Sequence, residues 1–301
     1  MSTGAASMRK LITSNSLSMF GLVTVSVFLV VTVAQVASSG AILPYNAYQP
    51  SFVQADLPPS LSHPFGTDLL GRDLLSRVIA ALPIDVGIPL ITVGLSAAIG
   101  IVLGTLAAFF RGWLDEVLMR LTDLFMAFPT MIMAMAIAAT LGPSLVNVTF
   151  SMIIVWWPPY VRLVRGGVLA IATEDFVSIS KALNSSFFYI VRKDAIPNVL
   201  PTILVYATFD VGSALLTLST LGFLNVGIPP TAPELGMMVS NVGNNLFLFP
   251  YQIIIPAVIV AAIVAGFSFL GEGIRESLDV KLRPHILIRT KPAKELEMKT
   301  Q

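Results

Sequence analysis

The sequence contains no cysteine, which excludes disulfides, thiolate metal ligands and thiol nucleophiles and leaves the redox compartment unreadable. Charge is scarce as well. Only 12% of the 301 residues are Asp, Glu, Lys or Arg, against roughly 25% in a water-soluble domain, so a soluble globular fold does not fit. The net charge of +1 gives no sign of a nucleic-acid partner. Histidine is reduced to His63 and His285, both outside the long apolar runs, so neither a histidine metal site nor a Ser–His dyad is expected within a membrane. No G-x-x-x-x-G-K-[ST] stretch occurs, and the chain should not hydrolyse ATP by itself. No catalytic residue, no metal ligand set and no cofactor of its own is expected.

What fills the sequence instead is apolar. Hydrophobic residues make up 55% and the mean hydropathy is +0.83. A bilayer core takes about 20 apolar residues as a helix, and runs of that kind lie near 17–37, 86–110, 124–141, 145–161, 199–224 and 251–271. The third and fourth are separated by Gly142-Pro143-Ser144, a tight turn that suits a helical hairpin. The first is longer than the 7–15 residues of a signal-peptide core, so it reads as a retained anchor. The expected fold is an all-α polytopic membrane protein with six transmembrane helices. Six crossings put both termini on one side. Of the 18 lysines and arginines all but Arg72 and Arg77 then share that side, a split of 16 to 2, which makes it the cytoplasm. The expected organisation is a cytoplasmic N-terminal tail (1–16), a first transmembrane helix (17–37) and an external segment with an amphipathic helix (38–85). A core of five transmembrane helices (86–275) and a cytoplasmic C-terminal tail (276–301) follow.

In the external segment Leu70, Leu74, Leu75, Val78 and Leu82 share a helical face, with Asp73 and Arg77 spaced i,i+4. An interfacial helix lying on the membrane explains this; a docking surface for an external partner is the alternative. Ser96, Gly100, Gly104 and Ala108 follow one another at intervals of four in the second span, a small-residue row that lets another helix come close. One carboxylate, Asp210, falls inside a span. Its insertion cost of about 2.5–3.5 kcal/mol requires a cavity or a partner. Either it lines a polar path at the bundle centre, or it bonds a neighbouring helix or sits at a vestibule. An intramembrane aspartyl protease would need two such groups. The "WWPPY" run, Trp156 to Tyr160, reads as the exit of the fourth span at the boundary rather than a ligand site.

The stretch between spans four and five, 162–198, is too long for a plain connector. Thr173 can cap a helix whose first turn carries Glu174 and Asp175. Phe176, Ile179, Leu183 and Phe187 form an apolar stripe, and Asn184 is a plausible exit. This helix caps its own bundle or is presented to a soluble partner, and the neighbouring Arg162, Arg165, Lys181, Arg192 and Lys193 suit anionic lipid headgroups equally.

Six separated stretches carry a resemblance over roughly residues 60–283. They are "HPFGTDLLGRDLLSR" (His63–Arg77), "GWLDEVLMRLTDLFMAFP" (Gly112–Pro129), "WWPPYVRLVRGGVLAI", "RKDAIPNVLP", "LGFLNVGIPPTAPELG" and "LGEGIRESLDVKLRP". In this order they are similar to the permease subunits of bacterial and archaeal ABC importers, specifically the C-type permease of dipeptide/oligopeptide systems. The resemblance implies a cell-membrane subunit that forms the translocation path with a second, related permease. Two cytoplasmic ABC ATPases, which use the ATP, and an external substrate-binding protein complete the importer. It also implies that the loop before span five carries the coupling motif that docks into the ATPase. Asp175, Phe176 and Val177 match its lead-in, Lys181, Ala182 and Leu183 its core, and Pro197 and Asn198 its close. Ser178 stands where the family has glutamate, Asn184 where it has glycine, and Ile179 and Ser180 where alanines are usual. Glu174, one turn before Ser178, supplies a nearby carboxylate. Asn225 and Glu234, in the loop 225–250, would face the binding protein. Peptide is the implied cargo, with oligosaccharide or nickel as alternatives. A secondary transporter, a channel or a membrane scaffold are the competing classes.

Overall fold

The computed structural model describes residues 16–171, 187–243 and 247–289. Among them the regular structure is helical: α1 (Ser16–Ala37), α2 (Leu74–Asp85), α3 (Gly87–Phe110), α4 (Trp113–Met126), α5 (Thr130–Leu141), α6 (Leu145–Ile171), α7 (Phe187–Ile190), α8 (Ile196–Phe223), α9 (Leu235–Asn241) and α10 (Tyr251–Arg289). A turn of π-helix, Val191–Ala195, joins α7 to α8. α1, the joined α2–α3 stretch Leu74–Phe110, α8 and the Tyr251–Leu278 part of α10 are each long and apolar enough to cross a membrane. The pair α4 and α5 adds a fifth such unit if taken together, bent by 85° at its break. That break has a local cause: Pro129 precedes α5, and a residue before proline is pushed out of helical geometry. α1 is apolar all round and mostly exposed on the isolated chain, as a lipid-facing helix must be.

Contacts between the helices give their directions. Gly100 lies against Tyr160, and Gly104 against Val161 and Val164, so α3 and α6 run side by side in the same direction. Thr24 touches Gly266 and Ser18 touches Gly273, which makes α1 and α10 antiparallel; Val264 beside Gly212 and Phe209 beside Gly271 make α8 and α10 antiparallel too. The α3–α6 contact is the tightest of these. A Cβ on Gly100 would stand 2.3 Å from the Tyr160 Cβ, and one on Gly104 2.6 Å from the Val161 carbonyl oxygen. Ser96 and Ala108 are buried on the same stripe.

Four expectations from the sequence do not hold. The fourth helix does not end at "WWPPY". α6 continues to Ile171 with Pro158 and Pro159 inside it, and Trp156, Trp157 and Tyr160 are buried. Each proline removes a helical hydrogen bond, but close neighbours let a membrane helix tolerate that loss. Leu70 is not part of the external helix. Gly71, at a φ of +73° and with the Ser51 carbonyl where a Cβ would go, turns the chain, and α2 begins only at Leu74 with Asp73 as its N-cap. Nor does α2 lie on a surface, since Leu74, Arg77, Val78, Ala81 and Leu82 are all buried within the chain. Finally, α8 begins at Ile196 and carries Pro197 in its first turn rather than starting after it, a position where proline's missing N–H costs nothing.

Candidate functional site

Asp210 stands near the middle of α8, roughly 20 Å from either end at 1.5 Å per residue. One of its carboxylate oxygens, Oδ2, accepts two hydrogen bonds from α6: the Trp156 indole Nε1–H at 2.6 Å and the Tyr160 hydroxyl at 2.8 Å. Trp156 and Tyr160 are one turn apart, so they project from the same face of α6. Their burial, 7% and 0% exposed, fixes both donors. Tyr160 is held from behind by Gly100, whose missing side chain makes room for it. Its ring meets Tyr206 edge to face at 5.1 Å, and Tyr206, one turn before Asp210, is 37% exposed. No other group among the described residues hydrogen-bonds Asp210, and none forms an ion pair with it. The side chain is only half-buried, and the second carboxylate oxygen has no hydrogen-bond partner among the described residues without being sealed in the interior. The small-residue row and the half-buried carboxylate thus meet at Tyr160, a connection that sequence spacing did not suggest. The available signal was the pair of donors four residues apart in an otherwise apolar helix.

A second carboxylate cluster lies where α2 ends. The Asp85 Oδ2 accepts from the Leu235 N–H at 3.2 Å, and Glu234 accepts from the next two backbone donors, Gly236 N–H at 2.9 Å and Met237 N–H at 2.6 Å. Two carboxyls therefore cap the short helix α9, and both are 0% exposed. Burial is the chief reason that the Glu234 carboxyl is pushed up to about 7, against the opposing pull of the two backbone N–H groups. Glu234 therefore does not face an external partner as the resemblance implied, whereas Asn225 is exposed and donates to the Ser240 hydroxyl at 3.1 Å. Asp85 makes a second acidic group at the edge of an apolar span, which the sequence reading did not single out.

Two of the basic residues assigned to the flank of the coupling loop, Arg162 and Arg165, are committed to α4. Arg165 grips Asp115 of α4 with two N–H groups at 2.5 and 2.6 Å, and Arg162 bonds Thr122 at 3.2 Å and pairs with Asp123. The expected i,i+4 pair of Asp73 and Arg77 does not form. Asp73 instead binds His63 and Ser76 at 2.9 and 2.7 Å, while Arg77 donates to the Ala47 carbonyl at 3.1 Å with Asp68 3.5 Å away. Residues 174–184, with Glu174, Asp175, Phe176, Ser178, Ile179, Lys181, Ala182, Leu183 and Asn184, lie outside the described residues. Among the described residues no group of histidine, aspartate or glutamate side chains could hold a metal ion.

Residues 100–284 match the family described as binding-protein-dependent transport system inner membrane component. The chain is 37% identical over 225 residues to the probable D,D-dipeptide transport system permease protein of Escherichia coli K12, covering 75% of this chain and 76% of that one. It is 32% identical over 261 residues to the glutathione transport system permease protein of Escherichia coli O6:K15:H31, 86% of each chain. The glutathione permease of Shigella boydii gives the same values.

Proposed function

The chain belongs to the family of binding-protein-dependent transport system inner membrane components, and from that we propose that it is the membrane permease of an ATP-driven importer of small peptides. The observation that carries this reading is its likeness, over three quarters or more of its length, to permeases of a dipeptide and of glutathione, the latter itself a peptide. It is a multi-pass protein of the cell membrane. Six crossings, with both termini cytoplasmic, are part of the proposal. The reading is supported by the parallel course of α3 and α6, by the antiparallel pairs α1–α10 and α8–α10, and by the 16-to-2 division of basic residues. α6 then serves as the fourth crossing even though its Trp-Trp-Pro-Pro-Tyr core makes it less apolar than the others.

In this reading a second, related permease completes the path, two cytoplasmic ATPases dock at residues 174–184, and an external binding protein delivers the peptide. Asp210 lines the path. A carboxylate at mid-span that is only partly buried on the isolated chain belongs against a partner helix or water, because exposure to lipid would cost about 2.5–3.5 kcal/mol or more. The four components, reconstituted in vesicles, should take up peptide only when ATP and peptide-loaded binding protein are both present. Uptake that needs an ion gradient and no nucleotide would replace this reading with a secondary transporter.

A further inference from the structure

We infer that Asp210, framed by Trp156, Tyr160 and Tyr206, receives the ammonium group of the peptide within the membrane-spanning path. The inference rests on the importer reading above and names the part of the cargo that this site takes.

Asp210 has neutral donors and no cation beside it among the described residues. Oδ2 of Asp210 accepts from two neutral donors, Trp156 and Tyr160. Neither donor carries a charge, and no lysine, arginine or histidine among the described residues pairs with the carboxylate. A charge at this depth calls for a cation. Both donors converge on the same oxygen, so the other keeps its lone pairs and is not sealed in the interior. A metal ion would need several oxygen ligands around it, and Asp210 belongs to no group of side chains able to supply them. A primary ammonium needs far less: one carboxylate oxygen and an aromatic face. Tyr206 offers that face one turn away. Its edge-to-face packing on Tyr160 fixes the ring, and its 37% exposure leaves it reachable for a cation–π contact. A single charge-assisted bond beside one ring is also weak enough to release its ligand, as a site in a transport path must.

The test separates charge from packing. Asp210→Asn keeps an amide oxygen that can accept from both Trp156 and Tyr160 while removing the charge. The permease complex, in nanodiscs without its binding protein, is treated with a hydrophobic carbodiimide, and modification of Asp210 is followed by mass spectrometry. Alanyl-alanine amide at millimolar concentration should slow the modification, and its N-acetyl derivative should not. In the complete importer, Asp210→Asn should lower uptake of a free-amine peptide about 10-fold, the loss of one charge-assisted bond. Stimulation of the ATPase by the loaded binding protein should persist. Equal protection by the two peptides, or by neither, overturns the inference, as does wild-type uptake by Asp210→Asn. If the wild-type complex imports no peptide with ATP while the protection pattern holds, it is the importer reading that fails and the ammonium site that stands.

Discussion

Asp210 and the Asp85–Glu234 cluster are built from the same functional group and could hardly be treated more differently. Asp210 shows one oxygen to two aromatic donors on a neighbouring helix and leaves the other open. Glu234 spends both oxygens on consecutive backbone N–H groups, Asp85 spends one on the N–H just before them, and both side chains are closed off completely. Glu234, with both oxygens held by backbone donors, is a structural clasp, since anything else that reached it would have to break a helix cap. An acceptor left half-free at mid-span invites a ligand. What distinguishes Asp210 from Glu234 is that the fold engages one of its oxygens rather than both.

The most disruptive way to break the comparison is to remove the support of the open site alone. Gly100→Leu would drive a side chain into Tyr160, where even a Cβ stands 2.3 Å away, forcing α3 and α6 apart. Overpacking of this kind costs about 1–3 kcal/mol or more. The expected outcome is loss of assembled complex on size-exclusion chromatography, or uptake reduced by more than 10-fold. Next comes the closed site. The Glu234 carboxyl is raised to about 7 from an ordinary 4.5, so the unfolded chain releases this proton at lower pH than the folded one. Its contribution to stability is therefore fully present below about 4.5 and is lost as pH rises through about 7. Glu234→Gln removes the titrating group, and should flatten the decline in Tm across that window relative to wild type. Glu234→Ala should lower Tm at every pH, since a lost cap costs about 1–2 kcal/mol.

A subtler change sharpens the open site. Trp156→Phe removes one of two donors to Asp210 and leaves Tyr160. The expected effect is a few-fold loss of uptake with a stability change of about 1 kcal/mol, read from transport assays and thermal melts side by side. The smallest effect belongs to a charge in neither cluster. Arg120 and Glu116 are 77% and 71% exposed at 3.8 Å, and Arg120→Gln should leave melting and uptake unchanged, as exposed pairs usually do.

Apolar runs in the sequence carried the membrane class and most helix positions, because a lipid-facing helix needs no partner to explain it. They failed where a partner decides. Pro158 and Pro159 read as a helix exit because a local rule counts the lost hydrogen bonds and cannot see α3 packed beside them. Leu70 looked like part of an apolar helical face until the turn at Gly71 excluded it. Asp85 and Glu234 are separated by about 150 positions, so neither announces the other in sequence. Asp210 was conspicuous as the lone acid of its span, but its donors Trp156 and Tyr160 lie 54 and 50 positions away on another helix, and nothing in the sequence pairs them with it.

The close fit of α3 and α6 has a mechanical corollary. Where backbones approach this nearly, one helix cannot slide along the other without its side chains striking the opposite main chain. The two therefore move as a single beam, and α4 is strapped to it through the grip of Arg165 on Asp115. Any rearrangement during a transport cycle has to be absorbed at joints, the nearest being the 85° elbow before Pro129. A crosslink across that elbow would stop the machine, whereas one between α3 and α6 would go unnoticed.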